Sequence, residues 1–312
     1  MPKVLISDAM DKIAETILLS NNIEVDVKTN LSVEDLSKNI TSYDGLIVRS
    51  ATKVSKEIIK EADKLKIIGR AGAGVDNIDL FAAKEKNIIV MNTPGGNTNA
   101  TAEHTLALLL SLSRKIPKAN LTTHKGQWAK KDLKGNEIKG KTIGIIGFGN
   151  VGKRFAEICH ALDLKILIYS KSFEMIKHDY PQYISSDLNN ILEHADIISF
   201  HCKPTSDGSP IITSAEINKM KNNALIINTA RGNLVSENDL FEALKSNKIK
   251  GAALDVYANE PAKDNILFGL ENIILTPHIA ASTSEAQIIV AEMVANQFVD
   301  YFIKDKINNQ VT

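Results

Sequence analysis

The chain has 312 residues, and its 37 basic and 37 acidic side chains give a formal net charge of zero. That balance argues against broad binding to a nucleic-acid backbone, because such binding needs a basic excess. The length predicts two domains, and the 44% hydrophobic and 24% charged content is typical of a globular protein and excludes a disordered or fibrous chain.

Two cysteines, Cys159 and Cys202, are too few for a disulfide framework, so we expect reduced thiols and a cytoplasmic protein. The first ten residues lack the long apolar core of a secretion signal and instead predict a strand. The longest apolar run, residues 106–110, is far shorter than the roughly 18 residues of a membrane span. We therefore expect neither a membrane nor a nucleic-acid partner.

The first third of the chain alternates short apolar runs with helical patterns. The predicted strands are residues 4–7, 45–48, 66–69 and 88–91, and the predicted helices are residues 12–19, 56–62 and 80–86. Strands that alternate with helices pair in parallel, so this region predicts a doubly wound α/β sheet.

A second series of strands follows an uninterrupted helical stretch, residues 100–113. Its predicted strands are residues 142–147, 165–169, 197–200, 225–228, 251–254 and 273–275. The last helix, residues 285–302, is amphipathic enough to pack back on the first series. We therefore expect two doubly wound parallel-sheet domains, one of residues 1–98 plus 283–312 and a larger one of residues 99–282.

A glycine fingerprint stands between a predicted strand and a predicted helix of the larger domain. The first glycine permits a tight turn, the second lets the backbone approach a pyrophosphate, and the third lets helix and strand pack closely. In this context the fingerprint predicts a Rossmann dinucleotide-binding domain. Its cofactor-binding candidates are Gly147, Gly149, Asn150, Val151 and Gly152.

The next strand ends in Tyr169, Ser170, Lys171 and Ser172, where an enzyme that uses NAD usually has a carboxylate for the ribose 2′-hydroxyl. A cation with two hydroxyls suits a 2′-phosphate, so Ser170 and Lys171 slightly favour NADP over NAD. The alternative is that Ser170 binds the 2′-hydroxyl and that the cofactor is NAD. Glu174, the nearest carboxylate downstream, is expected to lie past the pocket.

Three polar residues follow separate strands of the second series, namely Arg231, Glu260 and His278. In open α/β sheets this edge is where ligands bind. A guanidinium can hold a carboxylate with two parallel hydrogen bonds, and a histidine can protonate a ketone oxygen. A glutamate on the far ring nitrogen would fix the tautomer. The set predicts hydride transfer to or from a small 2-hydroxy or 2-keto acid, with no metal.

At these residues the chain resembles the D-isomer-specific 2-hydroxy-acid dehydrogenase family, over nearly its whole length. The matching stretches are GFGNVG at 147–152, NTARGNLVSENDL at 228–240, GAALDVYANEP at 251–261 and TPHIAAST at 276–283. The resemblance implies that Arg231 binds the substrate carboxylate, that His278 is the acid/base and that Glu260 pairs with it. It also implies cofactor contacts for Cys202, Gly208, Thr229, Asp255, which would lie beside the nicotinamide, and Ala280.

Within the family, the chain is most similar to the branch that oxidises 3-phosphoglycerate to 3-phosphohydroxypyruvate, the first committed step of serine synthesis. The matching stretches are VRSATKVS at 48–55, IIGRAGAGVDNIDL at 67–80 and VMNTPGGNTNATAEHT at 90–105. This resemblance implies a flavodoxin-like substrate-binding domain and a homodimer joined around residues 100–132. The substrate-binding candidates are Arg49, Arg70, Gly72, Ala73 and, from a partner subunit, Lys130.

Some features depart from the family's pattern. Ser170 replaces an aspartate, and Lys203 stands where a proline is usual. The chain ends at Thr312, so we expect no C-terminal regulatory domain and no feedback by serine. The alternative enzyme is an NADPH-dependent glyoxylate or hydroxypyruvate reductase, and an alternative of another class is a dinucleotide-sensing binding protein without turnover.

Overall fold

A computed structural model describes all 312 residues and divides them into two compact units, Met1–Asn97 with Ser282–Thr312, and Thr98–Ala281. The first unit contains a five-stranded sheet and the second a seven-stranded sheet, and every strand pair in both is parallel. The prediction of two doubly wound parallel sheets is therefore confirmed.

Most predicted elements are present, with ends that differ by one or two residues from those expected. The strands are β1 (Lys3–Ile6), β2 (Glu24–Val27), β3 (Gly45–Val48), β4 (Ile67–Arg70), β5 (Ile89–Asn92), β6 (Thr142–Ile146), β7 (Lys165–Tyr169), β8 (Ile184–Ser185), β9 (Ile197–Phe200), β10 (Leu225–Asn228), β11 (Gly251–Leu254) and β12 (Ile273–Leu275). The α-helices are α1 (Ile13–Ser20), α2 (Val33–Ile40), α3 (Lys56–Glu61), α4 (Leu80–Glu85), α5 (Thr98–Arg114), α6 (Ile116–His124), α7 (Asn150–Ala161), α8 (Lys171–Ile176), α9 (Leu188–His194), α10 (Ser214–Lys219), α11 (Glu237–Lys245) and α12 (Ser284–Lys304).

The first sheet has the strand order β2-β1-β3-β4-β5, which is the flavodoxin-like order with its reversal between β1 and β3. Helix α12 belongs to this unit, because Val294 and Phe298 are buried in one cluster with Val4 and Ile6 of β1. Two elements of this unit, β2 and α2, were absent from the prediction.

The second sheet has the order β12-β11-β10-β9-β6-β7-β8. It is the Rossmann order with one further strand, and the order reverses between β6 and β9. All residues of β9, β10 and β11 are buried, since helices cover both faces of a parallel sheet. The carboxyl ends of these strands therefore share one edge, from which the loops that carry the predicted site residues begin.

Helix α5 is longer than predicted and packs against the second sheet through Ala102, Leu108 and Leu109, which are buried. Helix α6 was not predicted, and it begins after Lys115, whose φ of 55° turns the chain. No residue of α6 is buried within the chain. No helix in the structure combines the length and the apolar character needed to cross a membrane.

Candidate active site

The glycine fingerprint forms a tight turn between β6 and α7. Gly147 has a φ of 98°, and a Cβ atom at this position would lie 2.5 Å from the carbonyl oxygen of His201. A Cβ atom at Gly152 would lie 2.2 Å from the carbonyl oxygen of Gly147. Around Gly149, by contrast, the same test meets no atom within 4 Å. The turn is closed on the protein side and open at Gly149, where a ligand could approach the backbone.

Helix α7 begins directly after this open position, with Gly149 as its N-cap residue and no side chain capping it. The first backbone amides of a helix have no partner inside the helix, and the helix dipole adds positive potential at that end. The amides of Asn150, Val151 and Gly152 are those groups here. This arrangement fits the pyrophosphate of a dinucleotide.

The loop after β7 contains the residues that would meet the ribose. Ser170 precedes α8, and its hydroxyl lies 2.9 Å from the hydroxyl of Ser172, while Lys171 is exposed. Glu174 accepts a hydrogen bond from the Ser185 hydroxyl and pairs with Lys177, and these contacts lower its pKa. The carboxylate of Glu174 is thus engaged in the α8 region, and no residue of 169–172 is acidic.

His201 and Cys202 follow β9 on the other side of the fingerprint turn. Burial lowers the pKa of His201 to about 3, so its ring is neutral, and Nε2 lies 2.9 Å from the Ser199 hydroxyl. Burial raises the pKa of Cys202 to about 11, so its thiol is protonated. Gly208 lies further along, in an exposed loop where its φ is 74°.

Asp255, directly after β11, is fully buried and organises the loop that follows β12. It accepts hydrogen bonds from the Thr276 hydroxyl at 2.6 Å and from the backbone amides of Ile279 at 2.9 Å and Ala280 at 2.8 Å. His104 Nε2 lies 3.4 Å away. Burial acts to raise the pKa of Asp255, but these bonds outweigh it and the net pKa is lowered. Asp255 is therefore a buried carboxylate that fixes the segment on both sides of His278.

Glu260 and His278 form an ion pair at the same edge. Nδ1 of His278 lies 2.6 Å from Oε2 of Glu260, and the Tyr257 amide donates to Oε1 at 3.0 Å. The hydrogen bond that His278 donates to Glu260 is the main reason that the pKa of His278 is raised. Burial acts to raise the pKa of Glu260, yet its bonds from His278 and Tyr257 lower it overall. Nε2 is the ring nitrogen left to exchange a proton with a substrate.

Arg231 follows β10 in a turn that Asn228 closes. Asn228 Nδ2 donates to the Arg231 carbonyl at 2.8 Å, and the Ala230 amide donates to Asn228 Oδ1 at 3.0 Å. The guanidinium donates to the Ala230 carbonyl at 2.6 Å. Its charge also acts to lower the pKa of His278, so the two side chains are electrostatic neighbours. The structure thus brings Arg231, Glu260 and His278 together from three strands.

Thr229, in the same turn, is buried, and its hydroxyl lies 2.8 Å from that of Thr105 on α5. That contact ties the β10 loop to the helix. Lys130, predicted for a partner's site, lies in a 3-10 helix, Lys130–Leu133, with an exposed side chain.

The remaining candidates lie at the carboxyl edge of the first sheet. Arg49 follows β3, and its guanidinium donates to the Ala9 carbonyl at 2.9 Å. Arg70 ends β4, and a Cβ atom at Gly72 would lie 1.3 Å from its Nη1, so the guanidinium lies over that glycine. The carbonyl of Ala73 accepts from Asn92 Nδ2 at 2.6 Å.

Sequence reasoning missed several residues that hold this site. Asn228 could have been found, because an asparagine that ends a strand just before a turn often bonds to the turn's backbone. His104 stands among polar neighbours in α5, Glu103 and Thr105, and was not distinguished by the sequence. Tyr257 had no such signal. No group of three or more His, Cys, Asp or Glu side chains in the 312 residues is arranged to hold a metal ion.

Comparison with known proteins places this geometry in a family. The model of the D-isomer specific 2-hydroxyacid dehydrogenase NAD binding domain matches residues 106–280. The D-3-phosphoglycerate dehydrogenase of Archaeoglobus fulgidus is 42% identical over 299 residues, which are 96% of this chain and 57% of that protein. The hydroxypyruvate reductase of Thermotoga maritima is 43% identical over 290 residues, which are 91% of this chain and 93% of that protein.

Solved structures agree with the sequence relatives. An acyclic imino acid reductase in complex with NADPH and D-Arg has a TM-score of 0.88 at 31% identity, covering 99% of this chain and 100% of that one. A 3-phosphoglycerate dehydrogenase of Entamoeba histolytica with bound NAD+ has a TM-score of 0.85 at 31% identity, covering 100% of this chain and 98% of that one. The chain spans little more than half the length of the Archaeoglobus relative. The chain belongs to the D-isomer specific 2-hydroxyacid dehydrogenase family.

Proposed function

We propose that this chain is an oxidoreductase that transfers a hydride between a nicotinamide dinucleotide and a D-2-hydroxy acid, most favourably 3-phosphoglycerate. The observation that carries the proposal is the pair of His278 and Glu260, 2.6 Å apart, with Arg231 as an electrostatic neighbour. These are the groups that reduction of a 2-keto acid needs beside a cofactor.

The second unit, residues 98–281, is the dinucleotide-binding domain in this proposal, and the first is the substrate-binding domain. The open position at Gly149 and the uncapped N-terminus of α7 fit a pyrophosphate. A bound nicotinamide cofactor supplies the hydride in the direction of reduction and accepts it in the direction of oxidation. The other residues assigned to the cofactor are Ser170, Lys171, Cys202, Gly208, Thr229, Asp255 and Ala280.

The chain's own residues handle the carboxylate and the proton. Arg231 presents a guanidinium that can hold the substrate carboxylate by two parallel hydrogen bonds. His278 donates the proton from Nε2 to the carbonyl oxygen during reduction and takes it back during oxidation. Glu260 binds Nδ1, stabilises the imidazolium and keeps Nε2 directed away from the pair.

The phosphorylated substrate is favoured by two cations at the edge of the first sheet, Arg49 and Arg70, with Gly72 and Ala73 beside Arg70. An unphosphorylated three-carbon keto acid needs only Arg231. The second candidate is a hydroxypyruvate or glyoxylate reductase. It is supported by the Thermotoga hydroxypyruvate reductase, which matches this chain over 93% of its own length.

For the cofactor we propose NADP ahead of NAD. Ser170, Lys171 and Ser172 offer two hydroxyls and a cation where a carboxylate would repel a 2′-phosphate. Structural neighbours at the same identity were solved with each cofactor, one with NADPH and one with NAD+. The choice therefore depends on this loop.

We propose that the partner is a second copy of this chain. No residue of α6 is buried within the chain, and Trp128 is 85%, Leu121 55% and Ile116 51% exposed. Several large apolar side chains exposed within one short segment are a feature of association sites, so we place the dimer contact here. In such a homodimer Lys130 would serve the partner's substrate site. The two free cysteines are consistent with a cytoplasmic location.

The proposal is tested with the purified chain on 3-phosphohydroxypyruvate, hydroxypyruvate and glyoxylate, each with NADPH and NADH. A large preference for the phosphorylated acid with NADPH is the expected result. Equal efficiency with and without the phosphate would favour the reductase alternative. Nucleotide binding without turnover of any acid would favour a dinucleotide-sensing protein and would discard the enzymatic proposal.

A further inference from the structure

Tyr257 lies where the three segments of the candidate active site meet. Its backbone amide donates to Oε1 of Glu260 at 3.0 Å, and its hydroxyl donates to the carbonyl oxygen of Thr276 at 3.0 Å. The side chain is only 8% exposed. One residue is thus bonded to the carboxylate of the ion pair and also to the loop that carries its histidine.

The backbone of Tyr257 also meets the Arg231 turn. A Cβ atom on Gly232 would lie 1.9 Å from the carbonyl carbon of Tyr257 and 2.1 Å from its oxygen. Only a glycine allows this approach, so the turn that follows Arg231 lies directly against the Tyr257 peptide. Tyr257 therefore contacts the turn that follows Arg231, the carboxylate of Glu260 and the loop that carries His278.

The bond from the Tyr257 hydroxyl acts on a strained turn. The Thr276 carbonyl that accepts it also accepts the backbone amide of His278 at 3.1 Å. His278 has a φ of 53°, in the left-handed region that residues with a side chain seldom occupy. Such a conformation persists when surrounding contacts hold it. The Tyr257 hydroxyl supplies one of those contacts from outside the loop.

The Tyr257 hydroxyl remains a hydrogen-bond donor throughout the pH range in which the enzyme works. Burial, followed by the charges of Asp255, Glu260 and Glu237, raises the pKa of Tyr257 to about 12. The phenol is therefore protonated at every pH at which His278 titrates. The bond to Thr276 is a constant feature and not a switch.

We propose that Tyr257 is a positioning residue that keeps Nδ1 of His278 within hydrogen-bond distance of Glu260. Its amide holds the carboxylate, and its hydroxyl holds the turn on which the imidazole is mounted. Tyr257 itself transfers no proton and acts through His278. The inference rests on the proposed function, because it concerns the proton donor of that reaction.

The test is Tyr257→Phe in the full chain, assayed for reduction of 3-phosphohydroxypyruvate with NADPH across a range of pH. Loss of one neutral hydrogen bond predicts a fall in kcat of about three- to tenfold, with KM changed less. The weaker pair lowers the pKa of His278. Reduction needs protonated His278, so the fall of kcat at high pH begins at a lower pH in the variant than in the unsubstituted enzyme.

Tyr43→Phe is a matched control. Tyr43 is also buried and donates its hydroxyl to a single acceptor, Oδ2 of Asp26, at 2.6 Å in the first unit. The Tyr43→Phe variant should have a lower Tm than the unsubstituted enzyme and the same pH profile of kcat. An unchanged kcat and pH profile in Tyr257→Phe would overturn the proposal, and so would an equal loss of kcat in Tyr43→Phe.

Two further measurements keep the inference separate from the proposed function and from folding. If no keto acid is turned over, the proposed function fails, and NMR titration of His278 still decides the inference: an equal pKa with and without the Tyr257 hydroxyl would refute it. If Tyr257→Phe does not fold, a polyfluorinated tyrosine at 257 keeps the ring and makes the phenol more acidic. The readout is oxidation of 3-phosphoglycerate, which needs neutral His278 and otherwise keeps its rate at high pH. Loss of the phenol proton should lower that rate at high pH, and an unaltered profile would count against the proposal.

Discussion

The carboxyl edges of the two sheets are organised by the same device and present different chemistry. In the first unit the buried Asp8, after β1, accepts the Arg49 amide at 2.5 Å and the Thr52 hydroxyl at 2.7 Å. In the second unit the buried Asp255, after β11, accepts the amides of Ile279 and Ala280. Each aspartate uses its carboxylate to hold the loop of a neighbouring strand. The difference lies in what the held loop carries.

In the first unit that loop carries a permanent cation, whereas in the second it carries a titrating pair. The guanidinium of Arg49 donates to a backbone carbonyl, and we propose that its charge binds the substrate phosphate. The imidazole of His278 is bonded to a carboxylate that raises its pKa. A cation of this kind strengthens binding, while a paired histidine moves a proton. The edges should therefore respond differently to substitution, in KM at one and in kcat at the other.

The largest effect is expected for His278→Ala, which removes the proposed proton donor. Turnover should fall by roughly 10²–10⁴, the usual contribution of general acid–base catalysis. Steady-state kinetics measures the loss, and calorimetric titration with the nucleotide serves as the control, since binding at the Gly149 turn should survive. Near-normal turnover in this variant would remove His278 from the mechanism.

Substitution of the two arginines at the first sheet tests whether that edge contributes to substrate binding. Arg49→Ala and Arg70→Ala should each raise KM for 3-phosphohydroxypyruvate about ten- to a hundredfold, the effect of losing a charge-assisted contact. The effect on kcat should be smaller, because the phosphate is held alike in ground and transition states. The preference over hydroxypyruvate should then collapse.

Lys86→Ala provides the matched control for that pair. Lys86 is a cation of the same unit that pairs with Asp63 at 2.9 Å, before β5 and not at a carboxyl end. Its removal should leave KM unchanged. If all three variants weaken binding alike, the effect is one of general charge, and Arg49 and Arg70 have no specific role.

Much of this arrangement could be predicted from the sequence, because buried parallel strands leave a strong trace. Strands such as β10 and β11 are continuous apolar runs followed at once by polar residues. Edge elements leave little trace. Strand β2 has the sequence EVDV and no buried residue, and α2 buries only Leu36 and Ile40. Strand β8 has two residues, too few for any periodic pattern.

The site shows the same limit at the level of single residues. Arg231, Glu260 and His278 could be named because each lies in the loop that follows a strand. Asn228 carried a signal of its own, but the structural role of Asp255 did not, because an aspartate after a strand looks the same in sequence whether it is solvated or buried. Tyr257 reads as one more apolar residue of a loop, and only the coordinates reveal its two hydrogen bonds.

Glu260→Gln keeps the histidine and removes the negative charge beside it. The pKa of His278 is raised chiefly by Glu260, so it falls in the variant. Reduction needs the protonated ring and is lost as pH rises through that pKa, so the loss begins at a lower pH. Oxidation needs the neutral ring and gains its full rate at a lower pH. At neutral pH reduction should slow by roughly tenfold or more, the worth of a charged hydrogen bond.

The check on Glu260→Gln is the pair of pH profiles, one for each direction of the reaction. Glu237→Gln is the control, since Glu237 is a carboxylate bonded to the neighbouring amide of Ala258 and not to His278. If the pH profiles of Glu260→Gln match those of the unsubstituted enzyme, a group other than Glu260 controls the pKa that shapes them.

The smallest effect is expected at the loop after β7, where the change alters only the choice of cofactor. Ser170→Asp introduces a carboxylate at the position where a 2′-phosphate would lie in this proposal. NADPH should bind about tenfold more weakly through like-charge repulsion, and NADH should bind more tightly through a ribose hydrogen bond.

The hydroxyl contact between Ser170 and Ser172 is lost as well, so Ser172→Ala is needed to separate that loss from the added charge. The ratio of kcat/KM for the two cofactors measures the shift, with the 3-phosphohydroxypyruvate preference expected to stay constant. Should the unsubstituted enzyme already prefer NADH strongly, the serine and lysine here serve a bare ribose, and the proposed NADP preference is wrong.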